Sequence, residues 1–112
     1  MPKIVLKNKK KIKLKRKPNL EIEKRRRINV ALWAYSYEFE SESIVSDAKF
    51  DQVCLYIRPE VETGHKVMDK FFKEEFDPNT GQWIHAHPEL KKVKVLYTRL
   101  KKSGAIKVSP AA

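Results

Sequence analysis

Tyr35 to Asp51 reads YSYEFESESIVSDAKFD: the end of one helix, a polar elbow and the start of another. Tyr35 and Tyr37 form an aromatic pair, Glu38, Glu40, Glu42 and Asp47 supply acid, and Ser46 to Asp51 (SDAKFD) closes the stretch. Residues 41–46 (SESIVS) break helical spacing. Ser46 is a good cap for a second helix over 47–57, because its hydroxyl can accept an otherwise unpaired first-turn amide. Aromatics and acids then face each other across the joint.

Upstream, Pro18-Asn19 punctuates and Asn19 caps the first helix. Ile22, Ile28, Leu32, Tyr35 and Phe39 recur at close to helical spacing and are its expected buried stripe. Glu21 and Glu23 suit its N-terminal dipole. Lys24 to Arg27 wrap around it as a basic run. Downstream, Phe50, Val53, Cys54 and Ile57 make the second helix's stripe, and Arg58-Pro59 ends it. After a loop with Thr63-Gly64, a third helix is expected over 65–76, with Val67, Met68, Phe71 and Phe72 inward. Asp77 to Gly81 (DPNTG) is a turn, and Trp83 and Ile84 plug the core from a loop. His87-Pro88 opens a last helix with Leu90, Val93, Leu96 or Tyr97, and Leu100 inward, closed by Ser103-Gly104. The pattern predicts a mainly α fold, a small bundle of about four helices. It divides the chain into a basic N-terminal segment (1–18), a helical domain (19–103) and a C-terminal tail (104–112). Residues 3–17 alternate lysine with Ile4, Leu6, Ile12 and Leu14, which reads either as a short β-hairpin or as a flexible basic arm.

The 112 residues are 41% hydrophobic and 10% aromatic, enough for a modest core. Net charge is +11, and its placement is uneven. Residues 1–27 carry 13 basic and 2 acidic groups, residues 28–90 carry 5 and 12, and residues 91–112 carry 7 and none. Basic ends around an acidic middle suit a polyanion, of which nucleic acid is the commonest. Lys9, Lys10, Lys11, Lys13, Lys15, Arg16, Lys17, Arg25, Arg26, Arg27, Lys91, Lys92 and Lys94 are the candidate phosphate contacts.

Three glycines, at 64, 81 and 104, cannot build a phosphate-cradling loop. No serine sits in a nucleophile elbow. Cys54 is alone among apolar neighbours and reads as a core residue. His65, His85 and His87 lack the spacing of common zinc pairs and read as surface or turn groups. No catalytic or metal-ligating residue is nominated. No apolar run reaches membrane-spanning length and no secretory leader is apparent, so a cytoplasmic location is expected.

The stretch from about Ile28 to Leu55 resembles the small N-terminal helical domain, Ia, of bacterial NAD-dependent DNA ligases. That domain has a helix ending in Tyr-His, an elbow, then Asp-Ala-x-Tyr-Asp. Tyr37, Asp47, Ala48 and Asp51 match without a gap. Glu38 stands in place of the histidine and Phe50 in place of the second tyrosine. The resemblance covers roughly a quarter of the chain. It implies a helix–elbow–helix scaffold that folds over the nicotinamide mononucleotide half of NAD, with Tyr37, Glu38, Asp47, Phe50 and Asp51 as nicotinamide-binding candidates. In such ligases a separate domain carries the adenylated lysine in a Lys-x-Asp-Gly motif, which is absent here, so this chain is expected not to be an enzyme. It looks like the small ligase-related proteins of bacteriophage and bacterial genomes, which would place it in a bacterial or phage-infected cell. The first expectation is thus a non-catalytic accessory protein, without a required cofactor, binding nucleic acid through lysine-rich ends on a ligase-like scaffold. The alternatives are a module for NAD or nicotinamide mononucleotide, and a factor that docks on a replication or repair enzyme.

Overall fold

Asn19 starts the longest helix: its Oδ1 accepts the Ile22 amide at 3.1 Å. The computed structural model describes residues 19–111. The elements follow in the order α1 (Leu20–Glu40), β1 (Glu42–Ser43), α2 (Asp47–Tyr56), α3 (Lys66–Glu74), a 3-10 turn η1 (Gln82–Ala86), α4 (Leu90–Ser103) and β2 (Ser109–Pro110). The protein is mainly helical, with four helices and one small two-stranded sheet among the described residues. The basic segment 1–18, whether hairpin or arm, lies outside the described residues, and Lys9 to Lys17 with it.

α1 is the spine, packed against α2, α4, β1 and η1. Its Val30, Ala31, Ala34 and Tyr35 meet Cys54 and Ile57 of α2, Phe71 and Phe72 of α3, Trp83 and Ile84 of η1, and Val93 and Tyr97 of α4. Trp83 closes the aromatic cluster, its ring 5.8 Å from Phe72 and 5.1 Å from Phe76, while its Nε1 donates to the Thr80 carbonyl. Each large side chain so buried contributes about 1.5–3 kcal/mol.

The stripe on α1 differs from the one expected. Leu32 and Tyr35 are buried as expected, but Ile22, Ile28 and Phe39 are 41, 54 and 42% exposed, and the other inward positions are Glu23, Arg27, Val30, Ala31, Ala34 and Ser36. Val67 of α3 is likewise outward, while Phe71 and Phe72 face in. The cause on α1 is Arg27, expected at a nucleic-acid surface but in fact 5% exposed. Its Nε donates to Glu23 Oε2 at 2.8 Å, Nη1 to Asp69 Oδ1 at 2.9 Å, and Nη2 to the carbonyls of Arg58 and Val61, both at 2.9 Å. Its guanidinium lies 5.0 Å from the Phe72 ring centroid. A charge this buried is tolerated only when its donors are matched, so Arg27 is structural and is removed from the phosphate-contact set. Desolvation pushes the Asp69 carboxyl upward, but hydrogen bonds from Thr63 and Gly64 and the charge of Arg27 outweigh it and hold the group below its ordinary range.

Gly104 ends α4 at φ +81°, a left-handed turn that favours glycine. The C-terminal tail then turns back: Ile106 and Val108 pack on the core, and Ser109–Pro110 pairs antiparallel with Glu42–Ser43. Ala111 N donates to Ser41 O at 2.9 Å.

His87 is buried against Phe71, ring centroids 5.0 Å apart, and its Nδ1 accepts the Glu89 amide. Burial lowers its pKa to about 4, with Glu89 opposing. Between the unfolded value of about 6.5 and about 4, only the unfolded chain takes the proton, so stability falls as pH drops. His87→Gln is expected to flatten that part of a urea-midpoint-versus-pH profile. Arg27→Ala should destabilise by roughly 3–5 kcal/mol, because Glu23 and Asp69 are left unpaired. Arg27→Lys should also destabilise clearly, since an ammonium cannot reproduce the fork. Arg25→Ala, on the exposed face, should leave the urea midpoint nearly unchanged.

Candidate functional site

The αL conformation of Ser41, φ +56°, turns the chain out of α1. Ser36 Oγ donates to the Glu42 carbonyl at 2.8 Å and fixes the first step of the elbow. Glu42 anchors the other side: its carboxylate accepts from the Tyr97 hydroxyl and from Lys101 Nζ at 2.9 Å. Ser46 then caps α2, its Oγ accepting the Lys49 amide at 3.1 Å. With both limbs held, a cleft of about 280 Å³ opens between them.

Its walls come from four places. α1 gives Trp33, Ala34, Tyr37 and Glu38; the elbow gives Ser43, Ile44 and Val45; α2 gives Asp47, Phe50 and Asp51; the turn before η1 gives Thr80, Gly81 and Gln82. The spacings 33/34/37/38 and 47/50/51 each put one helix face toward the cleft. The structure therefore brings Tyr37, Glu38, Asp47, Phe50 and Asp51 to one site. A Cβ added to Gly81 would stand 3.6 Å from both Ala34 Cβ and Phe50 Cζ, so the turn packs closely against the two helices.

Glu38 is fixed in place. Its Oε2 accepts from Gln82 Nε2 at 3.0 Å, and its Oε1 lies 2.9 Å from His85 Nε2, which must carry the hydrogen because a carboxylate only accepts. The His85 ring also leans on Phe39, centroids 4.7 Å apart. Sequence reasoning missed Gln82, His85 and Trp33 as parts of this site. Gln82 and His85 lie far from Glu38 in sequence, and only the docking of η1 brings them near. Three carboxylates and three aromatic rings line the cleft, and among the described residues no lysine or arginine does. Such a lining favours a flat, positively charged ring and repels phosphate.

The basic candidates divide. Arg25 is exposed, and Arg26 lies over the Tyr56 ring at 5.1 Å. Lys91, Lys92 and Lys94 are exposed, with Lys92 Nζ 3.3 Å from Glu89. At about 100° per residue, Lys91, Lys92, Lys94, Arg99, Lys101 and Lys102 spread over the outward half of α4, opposite Val93 and Tyr97. α4 contains no acid.

Among the described residues no cluster of histidine, cysteine and carboxylate groups could hold a metal, and no helix is long and apolar enough to cross a membrane. The chain matches no family model, no curated protein and no solved structure.

Cys54 is 1% exposed, and burial, with Asp51 nearby, pushes its thiol up to about 12. In the native protein at neutral to mildly alkaline pH it should not react with a disulfide reagent such as Ellman's, and in denaturant one thiol per chain should react at once.

Proposed function

We propose that this protein is a non-catalytic module that takes the nicotinamide nucleoside portion of NAD or of nicotinamide mononucleotide, and that it works beside an adenylating enzyme in DNA transactions. The observation that carries this reading is the convergence on one cleft of the five residues that the ligase resemblance singles out. A pyridinium ring stacks on Tyr37, Phe50 or Trp33 and is attracted by Glu38, Asp47 and Asp51. The same carboxylates accept hydrogen bonds from ribose hydroxyls. The cleft lies near the small end of ligand pockets, roughly 300–1,000 Å³, which suits a nucleoside better than a whole dinucleotide. Among the described residues no cation lines the cleft, so the phosphate is directed outward from it. Glu38 replaces a neutral imidazole with a negative charge, and Gln82 and His85 temper that charge by donating to it.

A second reading is favoured by the outward half of α4, with six cations and no acid, and by the charge of residues 1–27. These surfaces suit the phosphates of nucleic acid, with affinity that falls steeply with salt and little sequence preference. The two uses are compatible in one cytoplasmic accessory protein.

Calorimetry decides the first reading. Nicotinamide mononucleotide and NAD should both bind, with Kd below about 1 mM, and AMP should not. Asp51→Ala and Tyr37→Ala should each weaken binding about tenfold or more, equivalent to about 1.4 kcal/mol, with the fold intact by circular dichroism. Absence of heat at millimolar ligand, or wild-type affinity in Asp51→Ala, overturns it. For the second reading, replacing Lys91, Lys94 and Lys102 by Gln should weaken duplex DNA binding at low salt and reduce the slope of log affinity against log salt.

A further inference from the structure

A larger cavity lies along the N-terminal half of α1. It is an open groove of about 810 Å³ between α1, α4 and α3 with the loop that precedes it. Ile28, Ala31, Met68, Phe72, Val93 and Leu96 supply apolar surface to it. Ile28 and Val67, which also lines it, are each 54% exposed. Lys24, Lys66 and Lys92 add three cations. The one acid in that lining, Glu89, pairs with Lys92 at 3.3 Å, and Lys24 and Lys66 leave the groove positive. Lys24 has only a loose contact to Glu21 at 3.6 Å, and Lys66 has no ion pair among the described residues.

An apolar trough with cations along it selects its occupant by charge. The chain's own residues 1–18 hold nine Lys or Arg and no acid, so their charge has the same sign as the groove's lysines and does not complement it. A second copy docked through the same groove would bring Lys24, Lys66 and Lys92 against their own equivalents, since a two-fold contact pairs each patch with itself. Nucleic acid finds no use for the apolar surface. An amphipathic helix with apolar residues at i, i+3, i+4 and i+7 and acids on its flanks satisfies both halves of the site. Met68, unbranched and polarisable, can repack around whichever side chains it presents.

We propose that the groove between α1, α3 and α4 docks an acidic amphipathic helix of a partner protein. This surface is distinct from the nicotinamide cleft and does not depend on it.

The sequence offers a clean probe, because its only methionines are Met1 and Met68. The full chain, labelled with [¹³C-methyl]methionine, is titrated with a synthetic peptide of about 20 residues, long enough for a stable helix, with Leu and Phe on one face and Glu on its flanks. Two control peptides carry Lys in place of Glu, or the same composition in scrambled order. The acidic helix should shift the Met68 methyl signal and bind with a Kd in the micromolar range by fluorescence polarisation. The Lys and scrambled peptides should bind at least about tenfold more weakly. The triple variant Lys24→Glu, Lys66→Glu, Lys92→Glu changes only exposed side chains and should keep its circular dichroism spectrum. It should weaken the acidic peptide about tenfold or more and strengthen the Lys peptide. An unmoved Met68 signal, equal binding of the scrambled peptide, or indifference to the charge reversal overturns the proposal. So does a dimer in sedimentation equilibrium that the triple variant dissolves, because the groove would then belong to a second copy.

Discussion

One guanidinium sets the geometry of this fold. Arg27 ties α1 to α3 through Asp69 and to the α2–α3 connection through the carbonyls of Arg58 and Val61, while Glu23 on its own helix accepts from Nε. The Arg58 amide donates to the same Glu23 oxygen at 3.0 Å, so the loop is held from both sides. Buried ion pairs of this kind contribute little net stability compared with a well-packed apolar core. What they contribute here is rotation. The polar face of Glu23 and Arg27 must point inward, and the rest of α1 follows it at helical pitch.

That rotation carries Trp33, Ala34, Tyr37 and Glu38 to the side where the elbow returns. The elbow is then braced by parts of the chain remote from it: Tyr97 and Lys101 hold Glu42, β2 pairs with β1, and Gln82 and His85 hold Glu38. The cleft is small, but few of its walls are free to move independently. A lining held by such contacts lowers the cost of ordering on binding, because that cost is met on folding.

The helices were largely legible in the sequence. Asn19, Ser46 and Gly104 mark ends by local chemistry, and the structure places caps at all three. The phase of α1 was legible only in part, at Leu32 and Tyr35. Periodicity reads apolar residues, and two inward positions of α1 are Glu23 and Arg27, while Ile22 and Ile28 point outward. Nothing local distinguishes Arg27 from Arg25 and Arg26; its partners come from α3 and from a loop. The set Tyr37, Glu38, Asp47, Phe50 and Asp51 was singled out by the ligase resemblance, and the short elbow brings all five to one cleft. The roles of Gln82 and His85 could not be foreseen, since η1 reaches Glu38 only through the packing of Trp83 and Ile84 in the core. The return of the C-terminal segment was hidden for a similar reason: a two-residue strand has no periodicity to read.

The pairing of β2 with β1 also sets an order of events during synthesis. α1 and α2 leave the ribosome before α4 and can dock on each other at once, since their contacts are local. The elbow between them stays unbraced until α4 and then Ser109–Pro110 have been translated. The nascent chain therefore acquires its first two helices before the segments that brace its cleft.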